Sequence, residues 1–159
     1  MHALLAIVAL SFSGVLQTLP RSQSTEFVFG GLGLRTTIEE AKHRYPRSSI
    51  VGQYVYVAEA DSHDHIYGIG LPGADRPKRL SIFFEKSRNQ APRYPHCEQI
   101  VGMVEKQYGP PSRTEDFTEE QSRNRRLSWE RSGEVLSVLC FRQGQASLFA
   151  ERLTISATR

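Results

Sequence analysis

The segment Asp61-Ser62-His63-Asp64-His65 is the densest group of metal-capable side chains in the sequence. On an extended strand alternate side chains point the same way, so His63 and His65 could reach one metal ion. A zinc site needs at least a third ligand, and the spacing supplies none. The pattern therefore leaves two interpretations, a metal site centred on these two histidines or a solvated hairpin loop, and we expect no bound metal or cofactor.

Catalytic chemistry of other kinds has little support in the residue pattern. Serines, histidines and carboxylates are present, but no serine stands in a Gly-x-Ser-x-Gly nucleophile elbow. The adjacent pairs Glu39-Glu40 and Glu119-Glu120 are better explained by helix capping and by loop solvation. We expect a protein that is not an enzyme.

Nucleic-acid binding is also not expected. The formal net charge is +3 and the pI is about 9.0, which favours anionic surfaces only weakly. The arginines are spread from Arg21 to Arg159, and no dense basic run with interleaved aromatic residues occurs.

Two cysteines, Cys97 and Cys140, could form one disulfide bond. An even number of cysteines in an exported chain favours a bond, whereas two buried free thiols are the alternative. Cys97 begins the apolar stripe of a predicted helix, and Cys140 shares a strand face with Leu136 and Val138. Because such surfaces pack together, the sequence predicts a bond that fixes this helix to the sheet.

Trp129 is the only tryptophan, and it lies among Arg125, Arg126 and Arg131. Tryptophan and arginine dominate the binding energy of protein interfaces, so these four residues are the candidate binding site. The alternative is that Trp129 fills the core of its strand while the arginines surround it.

The stretch from Ser112 to Arg126 mixes acidic and basic residues after the second predicted helix. We expect a long polar loop here, either solvated and mobile or used for recognition.

An uncharged apolar run, Leu4 to Leu10, is followed by the small residues Ser11 and Ser13. This pattern predicts a secretory signal peptide over residues 1–13, then a polar connector over residues 14–26. The alternative is a buried first strand or helix of a cytosolic protein. The run is shorter than the roughly 20 apolar residues of a membrane span, so no transmembrane anchor is expected after cleavage.

The rest of the chain, residues 27–159, predicts a single α+β domain. A first helix begins at Thr36 or Thr37 with a capping-box glutamate three residues later, and Pro46 ends it. The second runs from Cys97 to Tyr108, with Gly109 as its cap. Three strands follow each helix, which predicts two α-β-β-β units, residues 32–86 and 97–156, forming one antiparallel sheet with helices on one face. Chance similarity of the two halves is the alternative to duplication.

Two short motifs resemble those of small envelope proteins. The run Gly33 to Ala41 resembles a Gly-Met-Thr-x-x-Glu-Val helix entry, and Gln107 to Pro111 resembles the way their helices end. The families are the small outer-membrane assembly lipoproteins and the β-lactamase inhibitory proteins, which pack short helices on antiparallel sheet. The resemblance covers residues 32–155 at the level of pattern and implies a non-catalytic, exported binding protein. This chain departs from the pattern at Arg35, has one helix per unit and lacks a lipidation cysteine, so no family binding residue transfers to it.

These observations predict a periplasmic or secreted protein that binds another envelope protein, or inhibits one, through its outer sheet face or the 112–126 loop. Two alternatives stay open: a small envelope enzyme or metal-binding protein that uses His63 and His65, and a structural domain without a ligand.

Overall fold

One large antiparallel sheet dominates the described chain. The computed structural model describes residues 26–58, 65–73, 78–84, 94–119, 122–143 and 147–158. The predicted leader, residues 1–13, and all but the last residue of the connector lie outside the described residues. The strands are β1 (Val28–Phe29), β2 (Leu32–Gly33), β3 (Ser49–Val51), β4 (Tyr54–Tyr56), β5 (Ile66–Gly70), β6 (Arg79–Phe84), β7 (Arg113–Glu119), β8 (Ser122–Arg131), β9 (Glu134–Gln143) and β10 (Ser147–Ala157). The helices of this part are α1 (Ile38–Arg44) and α2 (Cys97–Tyr108).

The eight strands after the first pair lie side by side in the order β3-β4-β5-β6-β10-β9-β8-β7. Each half is an antiparallel meander, and the two halves meet where β6 pairs with β10. The last strand of each half is therefore central, whereas β3 and β7 form the two edges.

The prediction of an α+β fold made of two α-β-β-β units is wrong. The described chain is rich in strands, and its two helices have only 7 and 12 residues. Four strands follow each helix instead of three. After α1, the apolar segment Ser49–Tyr56 reverses direction at Gly52 and forms two strands, β3 and β4, instead of one. After α2, the polar segment Arg113–Glu119 forms β7 because its backbone pairs with β8.

Local capping explains why α1 forms where it does. The Thr37 hydroxyl accepts a hydrogen bond from the backbone N–H of Glu40, and the Glu40 carboxylate accepts one from the N–H of Thr37. This is the predicted capping box. Ala41 is buried, and the helix ends before Pro46.

The second helix has the predicted bounds, because its apolar residues recur on one face and its cap residue tolerates a left-handed backbone. Cys97, Ile100 and Val104 are buried, and Gly109 ends the helix with φ of 84°. Neither α1 nor α2 combines the length and the apolar character that a membrane-crossing helix requires.

The predicted disulfide bond is confirmed. Cys97 at the start of α2 is bonded to Cys140 of β9, with the two Cα atoms 5.8 Å apart. Both cysteines are buried. The bond fixes α2 to the face of the sheet that carries Cys140, which we call the inner face.

The inner face supplies most of the core. Alternate residues along each strand point to one side, and on this side the central strands are almost completely buried. These residues are Leu80 and Ile82 of β6, Leu136, Val138 and Cys140 of β9, and Leu153 and Ile155 of β10. The sheet therefore has one packed face, and its other face, which we call the open face, carries the remaining side chains.

The N-terminal strand pair closes the core near the end of α2. Phe27, Phe29 and Leu32 are buried, and the Phe27 ring packs edge-to-face against Tyr108 with centroids 4.9 Å apart. The Tyr108 hydroxyl donates to the carbonyl of Val28 and accepts from its N–H, both at 2.7 Å. This pair of bonds fixes β1 to α2.

Candidate functional site

The open face carries a continuous row of paired residues that crosses all eight strands. Strand registers place these residues directly opposite one another in the order Ser49, Tyr56, Gly68, Phe83, Arg152, Leu139, Arg126 and Glu115. We call this set the cross-sheet row. Directly opposite residues have Cβ atoms about 5 Å apart, so neighbours in the row are within contact distance.

A second row runs parallel to the first and is made mostly of small residues. Its members are Val51, Tyr54, Gly70, Ser81, Thr154, Ser137, Ser128 and Arg113. The hydroxyl oxygens of Ser128 and Ser137 lie 3.0 Å apart in a hydrogen bond. A Cβ atom built on Gly70 would lie 3.2 Å from Cε1 of Tyr54. The Tyr54 ring therefore covers this glycine, and a larger residue at position 70 would displace it.

Aromatic side chains cluster on the other side of the cross-sheet row. The ring of Phe141 lies 4.9 Å from that of Tyr94 and 6.2 Å from that of Phe149. Phe149 in turn stacks on the ring of His96 at 5.0 Å. His96 reaches this position because it forms an antiparallel bridge with Phe149 beside β10. We call these four residues the aromatic cluster.

Bulges in two central strands shape this face. The register between β5 and β6 shifts by one residue at Tyr67, and the register between β10 and β9 shifts by one residue at Glu151. A bulge strengthens the local twist of a sheet and changes the direction of nearby side chains. Because the second bulge lies between Ala150 and Arg152, it returns Arg152 to the open face beside Leu139.

Many side chains of the open face remain partly exposed although they are aromatic or aliphatic. Tyr56 is 39% exposed and Val51 is 63% exposed. Phe83, Leu139 and the rings of the aromatic cluster are half-buried, apart from the exposed His96. Contiguous apolar surface of this kind marks interaction sites in soluble proteins.

The arginines of the cross-sheet row differ in their partners. Arg126 lies 3.7 Å from a carboxylate oxygen of Glu115, and its guanidinium carbon lies 5.0 Å from the ring centroid of Phe117. Glu115 also pairs with Arg113. Arg152, by contrast, makes no ion pair with any described residue. The charge at the centre of the row is thus uncompensated within the described chain.

The structure does not bring the four predicted binding residues together. Trp129 is 2% exposed and donates its indole N–H to the carbonyl of Gly109 at 2.8 Å. The Trp129 side chain therefore lies in the core, and the binding role of the three arginines stays a prediction. Arg125 and Arg131 point to the side of Trp129, whereas Arg126 points to the open face.

The predicted long loop from Ser112 to Arg126 is also wrong. Strands β7 and β8 fill this segment and pair with each other from Arg113↔Ser128 to Glu119↔Ser122. A charged edge strand of this type discourages pairing with other chains.

One charged pair of this hairpin is well defined. Arg125 donates two hydrogen bonds to Asp116, at 2.7 and 3.0 Å. These bonds lower the pKa of the Asp116 carboxyl and raise the pKa of Arg125. Arg142 adds a smaller electrostatic effect that lowers the pKa of Asp116 further.

The histidine segment gives no support for a metal site. His63, with Asp61 and Asp64, lies outside the described residues. His65 is described, is half-buried and has a positive φ of 59°. Among the residues that the structure describes, no group of three or more metal-capable side chains occurs.

The sequence alone indicated the outer sheet face as a binding surface, but of the residues on that face only Arg126 was among the predicted binding residues, and the others were missed. Alternation along single strands could have indicated some of them, for example Tyr54 and Tyr56. The row across strands could not be found this way, because it depends on which strands are neighbours.

Comparisons with known proteins give no further guide. No protein family, no curated protein and no solved structure matches the chain.

Proposed function

We propose that this protein is an exported, non-catalytic binding module of the cell envelope that contacts a protein partner through the open face of its sheet. The observation that carries the proposal is the cross-sheet row. It places Tyr56, Phe83 and Leu139, all partly exposed, in one line with two arginines. An inhibitor of an envelope protein is one form that such a module takes.

The composition of this face fits protein recognition. Aromatic residues and arginine are enriched at interfaces, where they offer both apolar area and polar contacts. The strands that present them are hydrogen-bonded on both sides, except at the edges, so the surface is ordered before a partner arrives. Pre-ordering lowers the entropic cost of association.

Export is supported by the disulfide bond. Disulfides persist in oxidising compartments and are rare in the reducing cytosol. The buried bond between Cys97 and Cys140 fits a protein that folds in the periplasm or outside the cell. Export would use the apolar segment of residues 1–13 as a leader, and intact-mass analysis of the native protein would show its removal.

Site-specific photo-crosslinking tests the binding face. A photoreactive phenylalanine analogue replaces Phe83 in one variant and Gln99 in a matched control, and each oxidised protein is irradiated in an envelope extract. Gln99 is exposed on α2, away from the open face. We expect a discrete protein adduct from position 83 and none from position 99.

The partner identified in the adduct is then purified and its affinity measured. Phe83→Ala should weaken binding at least about tenfold if this ring is an interface anchor, whereas Gln99→Ala should leave the affinity unchanged. Identical adducts from both positions, or no adduct from position 83, would refute the proposed face.

A further inference from the structure

Arg152 occupies the centre of the open face, and no acidic residue in the described part of the chain forms an ion pair with it. It stands in β10 between Phe83 of β6 and Leu139 of β9, which are its direct register partners. Residues with apolar side chains therefore stand directly opposite Arg152 on both neighbouring strands. The side chain is half-buried, and no ion pair with a described residue compensates its charge.

Glu151, the acidic residue next to Arg152 in the chain, does not compensate the charge of Arg152. Glu151, the bulge residue, makes no ion pair with Arg152. Burial raises the pKa of the Tyr94 hydroxyl, and the charge of Glu151 raises it further, which places this carboxylate within electrostatic reach of the aromatic cluster. On the β7 side of the sheet, by contrast, Glu115 is shared by Arg113 and Arg126. Counting only the described residues, the face has arginines paired with a carboxylate at its edge and an arginine without such a pair at its centre.

We infer that the partner presents an aspartate or glutamate, flanked by apolar residues, to Arg152. This inference rests on the proposed function. A guanidinium binds a carboxylate through two parallel hydrogen bonds, and these strengthen when surrounding apolar groups exclude water. Phe83 and Leu139 would supply that exclusion on the side of this chain. Complementary charge would also fix the orientation of the partner on the face.

A second copy of this chain fits the face less well. In a two-fold pairing of open faces centred on β10, Arg152 would approach its own copy, and like charges that approach each other in an interface are unfavourable. An anionic lipid surface would be bound best by a cluster of basic residues. In the cross-sheet row, Arg152 instead stands between Phe83 and Leu139, and Arg126 is paired with Glu115.

Selection from a library of random twelve-residue peptides tests the inference. The oxidised full chain and its Arg152→Glu variant are each used to select peptides. We expect peptides selected by the unaltered protein to be enriched in aspartate or glutamate beside aromatic or aliphatic residues. Arg152→Glu should bind those peptides at least about tenfold more weakly and should itself select basic peptides.

Two further variants make the result specific. Arg152→Gln removes the charge with little change of size, and it should also weaken the binding of the selected peptides. Arg123→Glu makes the same charge change on the inner side of β8, and it should leave their affinity unchanged. Thermal unfolding of all three variants confirms that each is folded.

Several results would overturn the inference. Peptides without acidic enrichment whose binding is weakened by Phe83→Ala would refute it and leave the proposed face standing. Self-association in sedimentation that Arg152→Glu weakens would assign the face to a second copy. If the protein binds vesicles of phosphatidylglycerol through Arg152 and selects no acidic peptides, the ligand of Arg152 is an anionic lipid. Failure to select any peptide that depends on the face would refute the inference, while the photo-crosslinking result decides the proposed function separately.

Discussion

Opening the bond between Cys97 and Cys140 should destabilise the protein by about 4 kcal/mol. The bond joins residues separated by 43 positions in the sequence. In the chain-entropy treatment, a loop of this length lowers the entropy of the unfolded chain by about 13 cal/mol/K, which corresponds to about 4 kcal/mol at 25 °C. For a chain of this size, the same change lowers the melting temperature by about 10 °C.

Urea unfolding separates the effect of the cross-link from the effect of packing. Three proteins are compared: the oxidised protein, the protein kept reduced, and the double variant Cys97→Ala/Cys140→Ala. The oxidised and reduced proteins differ only in the bond, so their difference in unfolding free energy measures the cross-link. The reduced protein and the double variant differ in two buried sulfur atoms, so their difference measures packing.

We expect the cross-link to account for most of the loss in unfolding free energy between the oxidised protein and the double variant. If the oxidised and reduced proteins unfold within 1 kcal/mol of each other, an argument based on the unfolded chain is wrong. Intact-mass analysis of the native protein gives an independent control, because the bond removes two hydrogen atoms.

Two other predictions concern the inner side of the sheet. Trp129→Phe should lower the free energy of unfolding by about 2 kcal/mol, because the carbonyl of Gly109 loses its donor and the smaller ring leaves a gap. Thermal or urea unfolding measures this free energy. Unchanged stability together with weakened partner binding would instead support the interpretation of Trp129 as an interface anchor. Arg125→Gln should raise the pKa of the Asp116 carboxyl toward its ordinary value near 3.8, as followed by NMR titration. Since the pKa is lower in the folded protein than in the unfolded chain, this pair contributes stability above the unfolded pKa, and the contribution is lost as the pH falls through the folded pKa. A titration identical in both proteins would show that Arg125 does not hold the carboxylate.

Local signals predicted both helices and their ends well. Thr37 and Glu40 form the expected capping box, and Gly109 ends α2 as expected. Ser132 and Gly133 both have positive φ between β8 and β9, as a tight hairpin turn requires.

Strand prediction failed where a strand has no apolar pattern of its own. Strand β7, Arg113–Glu119, is polar and charged and has no buried residue. It forms because its backbone pairs with β8, which is a non-local interaction. The strand prediction also failed for the apolar segment after α1, for the opposite reason. Its strong strand propensity concealed the turn at Gly52 between β3 and β4.

The sequence by itself determined the elements whose causes are local: the two capped helices, the alternating core strands and a pair of cysteines on surfaces that pack together. Only the tertiary structure decided that β6 lies beside β10, and hence that Phe83, Arg152 and Leu139 are neighbours. Phe83 lies far from the other two residues in the chain, and a one-residue change of register would turn Arg152 to the inner face. Strand order and register depend on how the whole sheet packs, so no short segment encodes the open face.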